Sequence, residues 1–478
     1  MRVEFAKKNI YSLFIIICWV ILVPVIAYIS AQDIKYTALL LGLAIGISVA
    51  GISILNYRAG YYIALTVTLT VRLLERMSGA EMSVGVLIDA MVLITLLGSL
   101  LKPGDKSIKQ VNFLRDPVLI TFYIYAGFIL LQFFNPAYVH DRHGWTTFAR
   151  VYLRNMIFMY LVMKMIRNMD DLKIFFKFWI IMLTLAALYA CIQQWFGLMP
   201  FEKAFIARYP EKFKTVLILT GIRIFSFVSD PAVFGVIMAC GCIINIVLLT
   251  SSNKIITVFQ KVLLFISLVL QFMALGYSGT RTAYIMVPMG LVIMLFVNLR
   301  NKNAVIGALV FVFAFLVVMF GPFHSNPTVI RIRTAFSGSE DASMNVREVN
   351  RHRIQPYIYT HPIGGGFLSC EPGSGSELDG FPPDSGYLRT VLEQGYIGLI
   401  LVCINIFLVM QYTVANYFRS NTETEKQFTL VIICVMFALV VSIYAQESSG
   451  LIESALLYYG LNGISIKLKY LSSPNITS

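Results

Sequence analysis

The chain has 478 residues, of which 58% are hydrophobic and only 13% charged, with a formal net charge of +13. Soluble domains are about half apolar and a quarter charged, so a water-soluble globule is excluded. The positive balance fits the Lys and Arg that gather in cytoplasmic loops of membrane proteins. A nucleic-acid partner is excluded, because no soluble module interleaves basic and aromatic residues.

Apolar runs of roughly 20 residues predict membrane helices. In chain order they fall near 10–30, 37–55, 58–74, 82–101, 117–134, 148–166 and 172–194. Four more lie near 230–250, 256–276, 281–299 and 303–321, and the last three near 385–411, 427–446 and 452–468. The first run follows a basic start and is too long for a cleaved signal peptide, so it reads as a span. The third ends in "VRLLERM", and the last is weakly apolar and suited in part to the interface. The fold class is an all-α polytopic membrane protein with about 12–14 transmembrane helices and one large loop, 322–384, between late spans. No internal repeat is visible.

Charge orients these spans. With the N-terminus inside, the connections "NYRAG", "KPGDKSIKQVNFLRD", "KMIRNMDDLK", "LRNKN" and "FRSNTETEK" are cytoplasmic and mostly positive. "AQDIK" and "NPAYVHDRHGWTT" are near neutral and outside, whereas 197–229 is outside despite several Lys and Arg. Loop 322–384 is then external and both termini are cytoplasmic. All five His (His140, His143, His324, His352, His361) fall on the external face. Six of the seven Cys lie in apolar runs and are expected to be buried and inert; Cys370 alone sits in the polar loop. No CxxC or Cys/His cluster suggests a metal, and no cofactor is expected.

The candidate chemistry surrounds the external loop. Arg223 and Asp230, in "GIRIFSFVSDPAVFG", precede a span; Asp before Pro at a helix start is an N-cap pattern, and Arg223 suits either snorkelling or a phosphate. Arg281, in "YSGTRTAYI", enters the next span after hydroxyl and backbone donors that suit an anion. The loop's basic residues are all Arg, among them Arg347 and Arg351 on one helical face; Arg grips phosphate with a planar fork. "HPIGGGF" supplies His361 and three consecutive glycines, without the pattern of a nucleotide-binding loop. "PPDSGYLRTVLEQGYIG" then opens a span with Asp384, Ser385, Tyr387 and Glu393. A carboxylate there is either a helix cap or a general base. Asp89 is the acid most enclosed by apolar residues, which marks either a functional group or a helix–helix bond.

In order and spacing, these stretches resemble the O-antigen ligase / O-antigen polymerase family of membrane glycosyltransferases. The matching parts are "RIFSFVSDPAVFG", "SGTRTAYI", Ser343…Arg347 with "HPIGGGF", and "DSGYLRTVLEQGYIG", over about residues 220–400. The region 1–219 matches only as hydrophobic spans, so 220–478 is expected to be the catalytic part. The resemblance implies a GT-C-like fold in the bacterial cytoplasmic membrane. It implies a metal-independent, inverting transfer of a glycan from undecaprenyl diphosphate. Arg281 and Arg347 would bind the diphosphate, with Arg223 and Arg351 nearby. Asp384 would take the place of the family's His as base or orienting group, and Ser385 that of its Asn. That change favours a polymerase, which joins one lipid-linked repeat unit to another, over a ligase. His361, Ser385, Tyr387, Glu393 and Asp230 are expected around the acceptor glycan, with the loop as a lid hinged at its glycines. The expected partners are undecaprenyl-diphosphate-linked oligosaccharide and membrane lipids, with a chain-length regulator and a flippase as candidate proteins. The competing non-enzyme reading, a lipid-linked oligosaccharide flippase, would need a polar route through the bilayer, and mid-span charges are few.

Overall fold

The structure, a computed structural model, describes residues 34–79, 83–102, 111–137, 142–209, 213, 215–218, 221–298, 302–322, 327–334, 342–383, 385–446 and 450–471. In chain order the first helices are α1 (Ile34–Leu55), α2 (Tyr57–Ser78), α3 (Val84–Leu100), α4 (Pro117–Leu131, with a 3-10 turn at Gln132–Phe134), α5 (His143–Met165), α6 (Met169–Phe196) and α7 (Pro200–Arg208). A two-stranded antiparallel hairpin, β1 (Leu217–Ile218) and β2 (Gly221–Ile222), follows. Next come α8 (Pro231–Leu249), α9 (Val258–Ser278), α10 (Arg281–Asn298) and α11 (Lys302–Phe320). The loop helices are α12 (Pro327–Thr334) and α13 (Ala342–Thr360), and the chain ends with α14 (Gly386–Arg419), α15 (Glu423–Ile443) and α16 (Ile452–Leu471).

Every apolar run from 37–55 onward is a helix, and the run near 10–30 lies outside the described residues. The chain is an all-α polytopic membrane protein. Seven described helices are long and apolar enough to cross a bilayer: α4 with its 3-10 turn, α6, α8, α9, α10, α14 and α15. Helix α5 is long but carries more charge, with Arg150, Arg154 and Lys164.

The chain falls into two compact units, one of residues 1–64 with 93–102 and the other of 65–92 with 103–478. In the first, a Cβ at Gly98 would run into the backbone of Ser53 and Ile54, so only a glycine lets these helices approach so closely. In the second, α8 is the hub. Asp230 caps it, accepting from the amides of Ala232 (2.7 Å) and Val233 (3.1 Å), and Pro231 opens its first turn. Its sequence is apolar all round, which dictates burial, and it packs against α6, α9, α10 and α15. One polar seam crosses this interior. Asn245 donates to Gln271 (2.9 Å) and Ser267 (3.1 Å), and the Ser267 and Thr184 hydroxyls are 2.7 Å apart. Asp89 also ties helices together: it pairs with Arg154 (3.2 Å) and Arg150 (3.3 Å) of α5.

Helix α14 is broken. Gly395 has φ 68° and ψ −169°, a conformation essentially confined to glycine. Such a break strips carbonyls of their helical partners, and water cannot replace those partners inside a membrane protein. The glycine run supplies new ones. The Gly365 amide donates to the Leu392 carbonyl (2.8 Å) and the Gly366 amide to the Glu393 carbonyl (2.9 Å). In return the Tyr396 amide donates to the Pro362 carbonyl (3.0 Å). A Cβ on Gly364 or Gly395 would collide with the opposing backbone. From α4 and its turn, Gln132 donates to the Ile363 carbonyl (2.8 Å) and Asn135 to that of Gly364 (3.0 Å). Phe367 then stacks on Phe148 of α5, with ring centroids 4.0 Å apart. The expectation that these glycines hinge a lid is therefore corrected: they are buried and locked into the helix break.

Replacing Gly395 by Ala forces a disfavoured backbone and a collision with the Pro362 carbonyl. We expect a loss of at least about 1–3 kcal/mol, read as a lowered melting temperature of the purified protein. Gly127→Ala, in α4 where a Cβ would meet nothing within 4 Å, is the control and leaves the melt unchanged or slightly raised.

Candidate functional site

Arg223 follows β2 and latches two of the sequence motifs together. Its Nε donates to the Ser278 carbonyl (3.0 Å), Nη2 to Thr280 Oγ1 (3.1 Å) and Nη1 to the Thr215 carbonyl (3.2 Å). The Ile224 amide donates to the Tyr277 carbonyl (3.0 Å), and Thr280 Oγ1 donates to the Pro231 carbonyl (2.8 Å). Gly279, at φ 62°, ends α9 in the left-handed conformation and reverses the chain, so that Arg281 becomes the first residue of α10. These contacts bring the starts of α8 and α10 to one end of the bundle.

Three guanidinium groups share this end. Arg281 is exposed, whereas Arg331 of α12 is only 7% exposed, and its Nη1 donates to the Ile222 carbonyl (3.4 Å). Burial lowers the Arg223 pKa; Asp230 and Tyr284 oppose that shift, and the charges of Arg331 and Arg281 add to it. Burial also lowers the pKa of Arg331, again opposed by Tyr284. The patch is thus cationic and partly desolvated, conditions under which guanidinium groups bind a polyanion strongly. Arg331 was not among the expected binding residues; in sequence it is one of several loop arginines, and only folding selects it. Its neighbour Arg333 is structural and caps the end of α11, donating to the carbonyls of Val318 (3.1 Å) and Gly321 (2.5 Å).

A second group forms where α14 begins. Ser385 is the N-cap, and its hydroxyl also reaches the Ile443 carbonyl (3.3 Å) at the end of α15. Tyr387 Oη donates to the Val440 carbonyl (3.2 Å). Arg351 donates to Tyr444 Oη (3.1 Å) with its guanidinium 5.1 Å from that ring's centroid, which ties α13 to the same place. Glu393 is buried and pairs with Arg389 (2.9 Å), which also binds Glu371 (2.7 Å). His361 stacks on Tyr357 at 4.0 Å, and its Nε2 lies 4.0 Å from Glu377. Asp384 lies outside the described residues. Arg347 lies in α13, and its side chain is outside them.

Glu453 joins the first of these groups and was missed. It is 3% exposed in the first turn of α16 and accepts from the Ser229 amide (3.0 Å) and hydroxyl (3.3 Å), beside Asp230. Its signal was an acid opening a span of weak apolarity. The loop acid Asp379 is spent on structure: it accepts from the amides of Gly373 (2.8 Å) and Gly375 (3.0 Å). Among the described residues no three His, Cys, Asp or Glu side chains gather to hold a metal. Cys370 is buried beneath α13 with Ile354, Leu378 and Leu392, and burial pushes its thiol up to about 12. Cys403, expected to be buried, is exposed on α14, where an apolar helix face is suited to lipid rather than to the core.

A helical membrane bundle with an arginine patch at the ends of its spans defines the class: a polytopic membrane protein with a cationic patch at one end. Residues 266–403, from α9 into α14, match the family model described as O-antigen ligase, so this segment is similar to that family. A comparison with curated proteins gives no match.

Two measurements check the site's construction. Thr280→Val removes the hydroxyl that joins Arg223 to Pro231, and should lower stability by about 1–3 kcal/mol in a detergent melt. Cys370 should resist a maleimide in native membranes at pH 7.5 and react once the protein is unfolded, because its thiolate is scarce and its path blocked.

Proposed function

We propose that this protein is a polysaccharide polymerase of the external face of the cytoplasmic membrane. It transfers a glycan from undecaprenyl diphosphate to the acceptor sugar of another lipid-linked repeat unit. The observation that carries this reading is that the O-antigen ligase match spans α10, whose first residue is Arg281, and that Arg281 lies within electrostatic reach of Arg223. Arg281 and Arg347 clamp the diphosphate and stabilise the charge that grows as it departs. Arg331 joins them, and Arg223 holds the Ser-Gly-Thr-Arg turn in position. Asp384 orients or deprotonates the acceptor hydroxyl, and attack on the opposite face inverts the anomeric carbon. Arg351 fixes α13 so that Arg347, one turn earlier, stays at the same end. Diphosphate is already a good leaving group, so paired guanidinium groups can serve where other enzymes use a cation.

The second reading is transfer of finished polymer to a different surface acceptor, favoured by the family description itself. The lipid-linked material left in a deletion strain separates the readings. Short repeats facing outward indicate a polymerase, long polymer still on its lipid indicates a ligase, and short repeats facing inward indicate a flippase.

Arg281→Ala and Arg347→Ala should each abolish polymer while the protein stays in the membrane, a loss of at least about 100-fold in turnover. Full-length polysaccharide in either strain would overturn the clamp. Asp384→Asn should slow turnover; an unchanged rate would reduce Asp384 to a helix cap.

A further inference from the structure

A cavity of ≈ 140 Å³ lies between α4, α5, α14 and α16, and the arginine patch does not include it. Its wall holds Tyr125, Tyr152 and Tyr459 together with Asn155, Glu393 and Gln394. Gly450 also lines it, and Glu453, three residues on, grips Ser229 beside Asp230. The cavity and the arginine patch thus flank the start of α16. The volume is close to the roughly 150 Å³ that admits a six-membered ring.

The lining selects the chemistry of an occupant. Asn155 is 4% exposed, and its Oδ1 is buried with no hydrogen-bond partner, an acceptor awaiting a donor. An apolar guest would leave that oxygen unsatisfied, at a real cost in a dry site. A phosphate is equally unsuited. The one cationic side chain in the wall, Arg389, is already held by Glu371 and Glu393, and the Glu393 carboxylate repels an anion. Aromatic faces beside an amide and a paired carboxylate suit a neutral ring with an apolar face and several hydroxyl groups.

The geometry points to a sugar subsite: the cavity holds one pyranose of the acceptor glycan, and Asn155 Oδ1 accepts a hydrogen bond from one of its hydroxyls. This rests on the glycan-transfer reading above. It adds a residue from α5, in the half of the chain that carries no family pattern, as a determinant of which acceptor is used.

The test uses full-length protein in lipid nanodiscs. The donor is the native lipid-linked repeat unit, and the acceptor is the same repeat unit on a simple alkyl group, which lacks diphosphate and cannot donate. Asn155→Leu removes the acceptor atom, and Val151→Phe fills the cavity from the same wall. Each should raise the acceptor KM by about tenfold and move the donor KM far less. Equal shifts in both KM values, or no shift in either variant, would overturn the subsite. A diazirine-bearing acceptor analogue on the unaltered protein gives an answer even if both variants misfold. Labelling of α5, α14 or α16 beside the cavity supports the proposal, and labelling elsewhere or none overturns it. Unaltered protein that makes no product from donor and acceptor would count against the glycan-transfer reading instead.

Discussion

The break at Gly395 governs how the polar loop meets the membrane helices. A helix that stops and restarts leaves carbonyl groups without partners, and a bilayer offers no water to satisfy them. Here the Leu392 and Glu393 carbonyls are taken by the Gly365 and Gly366 amides, and the Tyr396 amide by the Pro362 carbonyl. The exchange works only because glycine has no side chain at the points of closest approach. It fixes the loop's C-terminal half to α14 by backbone bonds, whose register tolerates no slip.

Much else follows from that anchor. With Gly364–Gly366 held, Phe367 stacks on Phe148, Cys370 and Leu378 pack beneath α13, and Glu371 reaches Arg389. The loop is therefore a built domain with its own small apolar core. The arginine patch has a comparable frame. Arg223 spends its hydrogen bonds on the carbonyl of Ser278 and the hydroxyl of Thr280, and so presents Arg281 at the head of α10. One arginine builds the site that another occupies.

The molecule also holds two kinds of buried polar group. The Asp89–Arg154 pair and the Asn245 seam join helices to one another within the bundle. Asn155 instead lies along a cavity, with its Oδ1 buried and without a hydrogen-bond partner. Polar groups within a membrane protein are costly unless paired.

The sequence by itself determined the helices, because long apolar runs leave few alternatives, and helices stand wherever runs fall among the described residues. It also marked Asp230 as a helix cap, since capping is decided within a few residues. Periodicity could not foresee that three glycines would lock a broken helix, because the bonds join Gly365 to Leu392 and Gly366 to Glu393 across the loop. Nor could it choose Arg331 over its loop neighbours, or join Asn155 of α5 to Glu393 of α14 around one cavity. Those choices belong to the tertiary structure: hydrophobic burial is written locally along the chain, whereas the pairing of polar groups is settled only when distant segments meet.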